Sequence, residues 1–417
     1  MKYKNLLYAQ SGGVTSVINT TAAGVIETAR KSKKINKVYA GRNGISGILK
    51  EEIIDTSLES NTQINNLKFT PGGAFGSCRF KLSNPKRDLN QFERLLNVFK
   101  SHDIGYFLYN GGGDSQDTTN KIAEFTKNAG FPVQCIGIPK TVDNDLPFTD
   151  VCPGFGSVAK YIATSTLEAA TDVKSMSETS TKVFIMEVMG RHAGWIAASS
   201  ALASNEKGGA PHIILFPEIN LVQAKFIKKV KETVLREGYC VVVVSEGVKD
   251  ARGRFLSDSG RVDAFGHKQL GGVAPRISEM IQSKLGYKCH WSVPDYLQRS
   301  ARHISSKVDF DQAYAVGKAA VEFSLKGENS IMPIVVRNKS KKYSWTIGKV
   351  ELKKVANVEK KLPRTYITKD GFYVTKKCKD YLQPLIQGEA FLPFKDGLPV
   401  QAKLKNILVK KKLEKFN

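Results

Sequence analysis

Along most of the chain, short apolar runs alternate with longer stretches in which apolar residues recur every three or four positions. Strand-length and helix-length segments in that alternation are the pattern of parallel α/β sheets. The first set predicts a strand from Lys4 to Ala9, then Ser11-Gly12-Gly13, then a helix from about Ser16 to Lys31. Lys37 to Ala40 is a second strand ending at Gly41, and Gln91 to Ser101 a helix. Tyr106 to Tyr109 is a strand that runs into three glycines. A helix from Ser115 to Ala129 precedes a mostly apolar run, Phe131 to Ile138, read as a buried strand.

A second set follows. Ser157 to Glu178 predicts a long helix, Lys182 to Val188 a strand, Gly194 to Ala203 a helix and His212 to Phe216 a strand. Leu221 to Glu237 reads as a basic helix, Cys240 to Ser245 as a strand and Val273 to Leu285 as a helix. Gly208-Gly209, Gly253 and Gly260-Arg261 mark loops. No short repeat is present, but two similar α/β halves fit the pattern. From about residue 338 charge density rises and periodicity weakens, and residues 361 to 417 receive no chemistry.

A chain of 417 residues is long enough for two packed domains and a sizeable core. No run approaches the roughly 18 apolar residues of a membrane span, and the start leads straight into a strand, so no membrane role is indicated. The six cysteines (Cys78, Cys135, Cys152, Cys240, Cys289, Cys378) are scattered without a C-x-x-C pair. That predicts reduced thiols in a cytosol.

The formal net charge of +24 fits a nucleic-acid surface or a lysine-rich exterior that draws in anionic substrates. Basic residues are spread along the chain and no zinc-finger, homeodomain or RNP signature occurs, so no nucleic-acid partner is expected. The densest cluster, Lys410-Lys411-Lys412-Leu413-Glu414-Lys415, is terminal and expected to fray. His102, His192, His212, His267 and His303 show no metal-binding spacing and read as structural.

The candidate chemistry centres on Gly137-Ile138-Pro139-Lys140-Thr141-Val142-Asp143-Asn144-Asp145. It places two carboxylates two residues apart, with an ammonium three residues before the first, at the C-terminal end of a strand. Ligands bind there in open α/β sheets. Phosphoryl transfer to a hydroxyl needs a base and fixed positive charge, and this stretch offers both. Read alone, Asp-Asn-Asp is also common turn chemistry. Strand, Gly12-Gly13, helix is a phosphate-binding arrangement or a plain tight turn. Arg79 suits bridging two phosphates, or is a surface arginine. Met189 before Gly190-Arg191 has a core-filler alternative, and Glu246 an exposed strand-end one.

Seven blocks in order carry a resemblance: Ala9-Gln10-Ser11-Gly12-Gly13, Pro71 to Arg79, Asn110-Gly111-Gly112-Gly113-Asp114-Ser115, Gly137 to Asp145, Met186 to Arg191, Ser245-Glu246-Gly247, and Tyr296-Leu297-Gln298-Arg299. Over roughly residues 4 to 350 the chain resembles the phosphofructokinase family, more closely its pyrophosphate-dependent branch. The resemblance implies two doubly wound, Rossmann-like α/β domains with the active site in the cleft between them. Residues 1–150 plus about 298–345 would bind the donor, 151–297 the sugar phosphate, and 346–417 would be an extension of unknown role. It implies phosphate transfer from pyrophosphate to the 1-hydroxyl of fructose 6-phosphate in a cytoplasmic, magnesium-dependent enzyme, a homo-dimer or homo-tetramer.

By resemblance Asp143 is the general base, and Lys140, Asp114 and Arg79 complete the catalytic set. Thr141, Val142, Asp143, Met189, Gly190, Arg191, Glu246, Tyr296, Leu297, Gln298 and Arg299 bind the sugar phosphate, with Arg299 on its 6-phosphate. Gly12, Gly13, Arg79, Asp114, Ser115 and Lys140 bind pyrophosphate. ATP-using relatives carry aspartate and glycine where this chain has Gly113 and Asp114, and glycine where it has Lys140. A carboxylate at Asp114 stands where the α-phosphate of ATP must pass, and like charge disfavours it. Lys140 supplies charge to a short donor.

Gly113 departs from the aspartate or asparagine usual in pyrophosphate users, so magnesium would fall to Asp114, Asp143, Asp145 or the donor's own oxygens. His290, beside Lys288, stands where many relatives have a phosphate-binding arginine, and Lys182 where a neighbouring subunit offers one. The rival activities are an ATP-dependent phosphofructokinase, a sedoheptulose 7-phosphate kinase, and a NAD or lipid kinase. A catalytically silent relative and a nucleic-acid-binding one complete the alternatives.

Overall fold

The computed structural model describes residues 4–85, 87–256, 258–262, 268–270 and 272–416, so His267 lies outside the described residues. The strands are β1 (Lys4–Gln10), β2 (Ile35–Gly41), β3 (Ile53–Asp55), β4 (Ile104–Gly111), β5 (Gln134–Pro139), β6 (Val183–Val188) and β7 (Ile213–Leu215). They continue as β8 (Cys240–Ser245), β9 (Asp258–Val262), β10 (Lys268–Leu270), β11 (Cys289–Ser292), β12 (Ile331–Arg337) and β13 (Trp345–Glu351).

Two sheets organise the chain. The larger runs β13-β12-β5-β4-β1-β2-β3, the smaller β11-β6-β8-β7. The smaller is parallel throughout, and the larger is parallel except for β3 and β13 at its edges. Every residue of the valine-rich β8 is buried, as a strand covered on both faces must be. The fold is the α/β class that the alternation predicts.

Helix packing is tightest where glycines meet backbone. A Cβ on Gly24 would lie 2.5 Å from Tyr314 O, and one on Gly317 would lie 2.3 Å from Thr21 O. Helices Ile18–Arg30 and Lys307–Leu325 can therefore approach only because both carry glycine at the crossing. At the ends of β4 and β5, Gln116 Nε2 donates to Gly111 O at 2.8 Å and to Ile138 O at 3.1 Å. A Cβ on Gly137 would strike that same amide, 1.8 Å from Gln116 Oε1. The two strand ends are thus fixed side by side.

Two expectations are corrected. Gly260 and Arg261 lie in β9, paired with β10; glycine weakens a strand but does not forbid backbone pairing. The terminal lysine cluster is docked: Lys412 N and Leu413 N donate to the two oxygens of buried Glu51 at 2.6 and 3.1 Å. His102 Nε2 lies 2.6 Å from the same carboxylate, so the terminal segment completes a site that the histidine begins. The segment beyond residue 361, left without chemistry by its sequence, packs into the core, with Leu362, Ile367, Val374, Cys378, Leu382 and Leu385 buried in the same cluster as Phe155 and Trp195. No helix among the described residues is long and apolar enough to cross a membrane.

Candidate active site

The C-terminal ends of β1, β4 and β5 open into a cleft of about 610 Å³, a location set by the sheet itself. Directly after β5, the Lys140 backbone N–H donates to Gly111 O at 3.2 Å. Its side chain then turns back, and Nζ donates to Gly13 O at 2.6 Å. Lys140 is 4% exposed. Burial, with Arg299 next in weight, lowers its pKa to about 8.

Arg299 is the neighbour that crowds it. A Cβ on Gly13 would stand 2.6 Å from Arg299 Nη1 and 3.9 Å from Arg79 Nη2. Any residue but glycine at 13 would displace the guanidinium. Three cations thus converge on one glycine loop, and a multiply charged anion relieves such crowding. The 6-phosphate role that the resemblance gives Arg299 does not predict this placement. Its guanidinium is held over the Tyr296 ring, 3.8 Å from the centroid, and reaches across to the donor loop.

The carboxylates face these cations. Thr141 Oγ1 accepts from Asp143 N at 3.1 Å, and Asn144 between the two aspartates has a left-handed backbone at φ 53°. The turn reading of Asp-Asn-Asp is therefore correct as local structure, and the turn is what aims both carboxylates at the cleft. Burial raises the pKa of each, with Asp145 and then Glu246 adding to the effect on Asp143. Asp145 Oδ1 is buried without a hydrogen-bond partner.

Across the cleft, Glu246 Oε1 accepts from Gly190 N at 3.3 Å, and burial raises its pKa too. Gly190 has φ 125°, and a Cβ there would lie 2.7 Å from Ala193 O. Met189 N donates to Gln298 Oε1 at 3.2 Å. Met189, Arg191, Glu246 and Tyr296 line the cleft with Thr141 and Val142, whereas Gly190, Leu297 and Gln298 do not. Leu297 is exposed and Gln298 buried behind the Met189 loop.

At the other wall Gly12, Gly113, Asp114 and Ser115 line the cleft. Nothing lies within 4 Å of a Cβ built on Gly113. Asp114 Oδ1 is 2.6 Å from Lys81 Nζ. Lys182 and Lys288 lie elsewhere, donating to Glu178 O at 3.2 Å and Ser180 Oγ at 3.2 Å. With His290 on β11, neither lines this cleft.

Three lining residues were not expected at the site. His192, read as structural, lines the cleft, with Nδ1 2.9 Å from Glu359 Oε1. Its position directly after Arg191 was the available signal. Asp295 and Glu359 also line it. Glu359 precedes the segment without assigned chemistry, and nothing local points to it.

Paired sheets with a cleft of facing cations and carboxylates define a phosphoryl-transfer architecture. The phosphofructokinase profile matches residues 5–324, and the chain belongs to that family. Within it, the chain is 57% identical over 417 residues, with all of both chains covered, to a Halomonas elongata protein described as pyrophosphate–fructose 6-phosphate 1-phosphotransferase. The crystal structure of a pyrophosphate-dependent phosphofructokinase from Marinobacter aquaeolei is similar at TM-score 0.91, with 60% identity over 99% of each chain. One from Nitrosospira multiformis gives 0.92, with 57% identity over 99% of this chain and 100% of that one.

Proposed function

We propose that this chain transfers a phosphoryl group from pyrophosphate to the 1-hydroxyl of fructose 6-phosphate, giving fructose 1,6-bisphosphate and phosphate. It runs in both directions, because the two phosphate donors differ little in transfer potential. The reading is carried by the Lys140 ammonium against Gly13 O, with Asp114 standing at the outer wall of the same site. The first supplies charge to a short donor, and the second obstructs a nucleotide. The names of the similar proteins support it.

Asp143 takes the proton from the attacking sugar hydroxyl. Its raised pKa fits a base working near neutrality. Lys140, Arg79 and Arg299 hold the donor and offset the charge that shifts onto the leaving phosphate. Met189, Arg191, Glu246 and Thr141 orient the sugar. The residues of the larger sheet bind the donor and those of the smaller sheet the sugar phosphate. The enzyme acts in the cytoplasm as a homo-oligomer.

Magnesium fits this site. Asp145 Oδ1 is a buried oxygen without a donor, and Gly113, which lines the same cleft, leaves open space for phosphate oxygens and water. Asp145, with Asp114 as the other candidate, would hold the ion, a hard cation suited to oxygen ligands. When bound it neutralises phosphate charge. The test is a donor comparison with fructose 6-phosphate and magnesium. Fructose 1,6-bisphosphate should form with pyrophosphate and hardly at all with ATP. Comparable turnover with ATP rejects the reading.

A further inference from the structure

Behind Asp143 the catalytic turn rests on the C-terminal segment. Lys360 Nζ donates to Thr149 O at 3.0 Å, to Asp150 O at 3.2 Å and to Asn144 Oδ1 at 3.3 Å. The Lys360 backbone N–H donates to Asp145 O at 2.6 Å. Tyr381 OH accepts from Asn144 Nδ2 at 3.0 Å and donates to Asp150 O. Asn144, fully buried, also accepts from Cys152 N at 3.0 Å. The residue between the two aspartates is therefore gripped from both sides, and its left-handed backbone is what the grip holds.

The chemistry of the grip is unusual. The ammonium gives its three donors to neutral oxygens, and Nζ stands over the Trp195 ring, 5.4 Å from its centroid. The Asp150 and Asp145 carboxylates nearby offset part of the cost of burying this charge, yet a buried ion pair is on balance no better than filling the space with an apolar chain. Packing alone gives no reason for lysine here. Three convergent hydrogen bonds that fix both ends of one turn do.

We infer that Lys360 and Tyr381 are positioning residues for the phosphoryl-transfer step, holding the Thr141–Asp150 turn so that Asp143 meets the sugar hydroxyl. The inference rests on the reading of Asp143 as general base. Neither side chain lines the cleft, so neither touches substrate. Misplacing a catalytic group by about 1 Å costs on the order of a hundredfold in rate. Loss of either grip should therefore lower turnover and leave substrate binding in place.

The test uses the full chain with Lys360→Met and, separately, Tyr381→Phe. Wild-type turnover with pyrophosphate and fructose 6-phosphate is measured first, and its absence would defeat the functional reading itself. Given that activity, Lys360→Met should lower kcat about thirtyfold and Tyr381→Phe about fivefold. Calorimetric titration with fructose 6-phosphate should keep the wild-type stoichiometry, with Kd within threefold. Full stoichiometry separates mispositioning from partial unfolding, which would remove binding sites in proportion to turnover. If Lys360→Met does not fold, Tyr381→Phe carries the test. A folded variant with kcat within twofold of wild type overturns the inference, and so does a loss of turnover matched by lost binding sites.

Discussion

Lys81 Nζ lies 2.6 Å from Asp114 Oδ1, so the carboxylate proposed to bar ATP is held in an ion pair. The partnership raises the lysine's pKa. It also changes the physical reading of donor choice. Part of the like charge that would repel a nucleotide's α-phosphate is already neutralised, leaving the fixed bulk of the side chain as the larger obstacle.

Replacing Asp114 by glycine should thus remove the obstacle and free an ammonium beside the nucleotide's path. The ratio of ATP to pyrophosphate specificity constants should rise in Asp114→Gly, and rise further with Lys140→Gly added, although absolute rates fall. Adding Lys81→Met to Asp114→Gly should cancel about fivefold of the gain, the scale of one partly exposed ion pair. Steady-state kinetics at saturating magnesium across the set measure this. A flat ratio would remove all three residues from donor selection.

Asp143→Asn keeps the shape of the turn and removes the base. Turnover should fall about a hundredfold or more, with fructose 6-phosphate binding retained. Retention of most turnover would send the proton elsewhere.

The pH profile has two sides with different owners. Lys140 must be charged to hold the donor, and its pKa is lowered to about 8. As pH rises through that value the free enzyme loses the ammonium, so kcat/KM for pyrophosphate should decline. Lys140→Arg should move the decline to higher pH, because a guanidinium stays charged. On the acid side the base must be deprotonated, and burial raises the Asp143 pKa. Activity should therefore fade with falling pH well above the usual carboxylate value of about 4.

Arg299 separates two assignments. If it serves the donor loop beside Gly13, where its Nη1 lies, Arg299→Met should raise KM for pyrophosphate about tenfold, as for a lost charge-assisted hydrogen bond. A rise confined to fructose 6-phosphate would return it to the 6-phosphate.

Much of this was legible in the sequence because it is local. The strand ending in Ile138 and the glycines at 12 and 13 announce themselves by run length and residue type. The helix beginning at Val273 is bounded where its periodicity begins. What stayed hidden depends on distant partners. Lys81 reads as one lysine among many until Asp114 is seen across the loop. Glu359 and Lys360 sit in a stretch of weak periodicity, and Lys360 meets Asn144 across 216 residues of sequence. β13 escaped notice as an edge strand with half-exposed, charge-interrupted residues. Arg299 was recognised by its block, but the direction of a long side chain is set by its aromatic neighbour and not by its motif.

The order in which this chain is made differs from the order in which it is joined. β1, β2 and β3 emerge first, yet their sheet is completed by β12 and β13 and by the last residues alongside β3. There Asp55 N donates to Ile407 O at 3.0 Å and Val409 N to Ile53 O at 2.8 Å. Domains generally fold as units, and the unit here joins β1 to β5 with β12 and β13. A fragment released early would carry open strand edges, the places where chains pair wrongly. Completion of the sheet thus depends on strands far apart in sequence, and a chain cut before β12 would leave β5 without its outer neighbour.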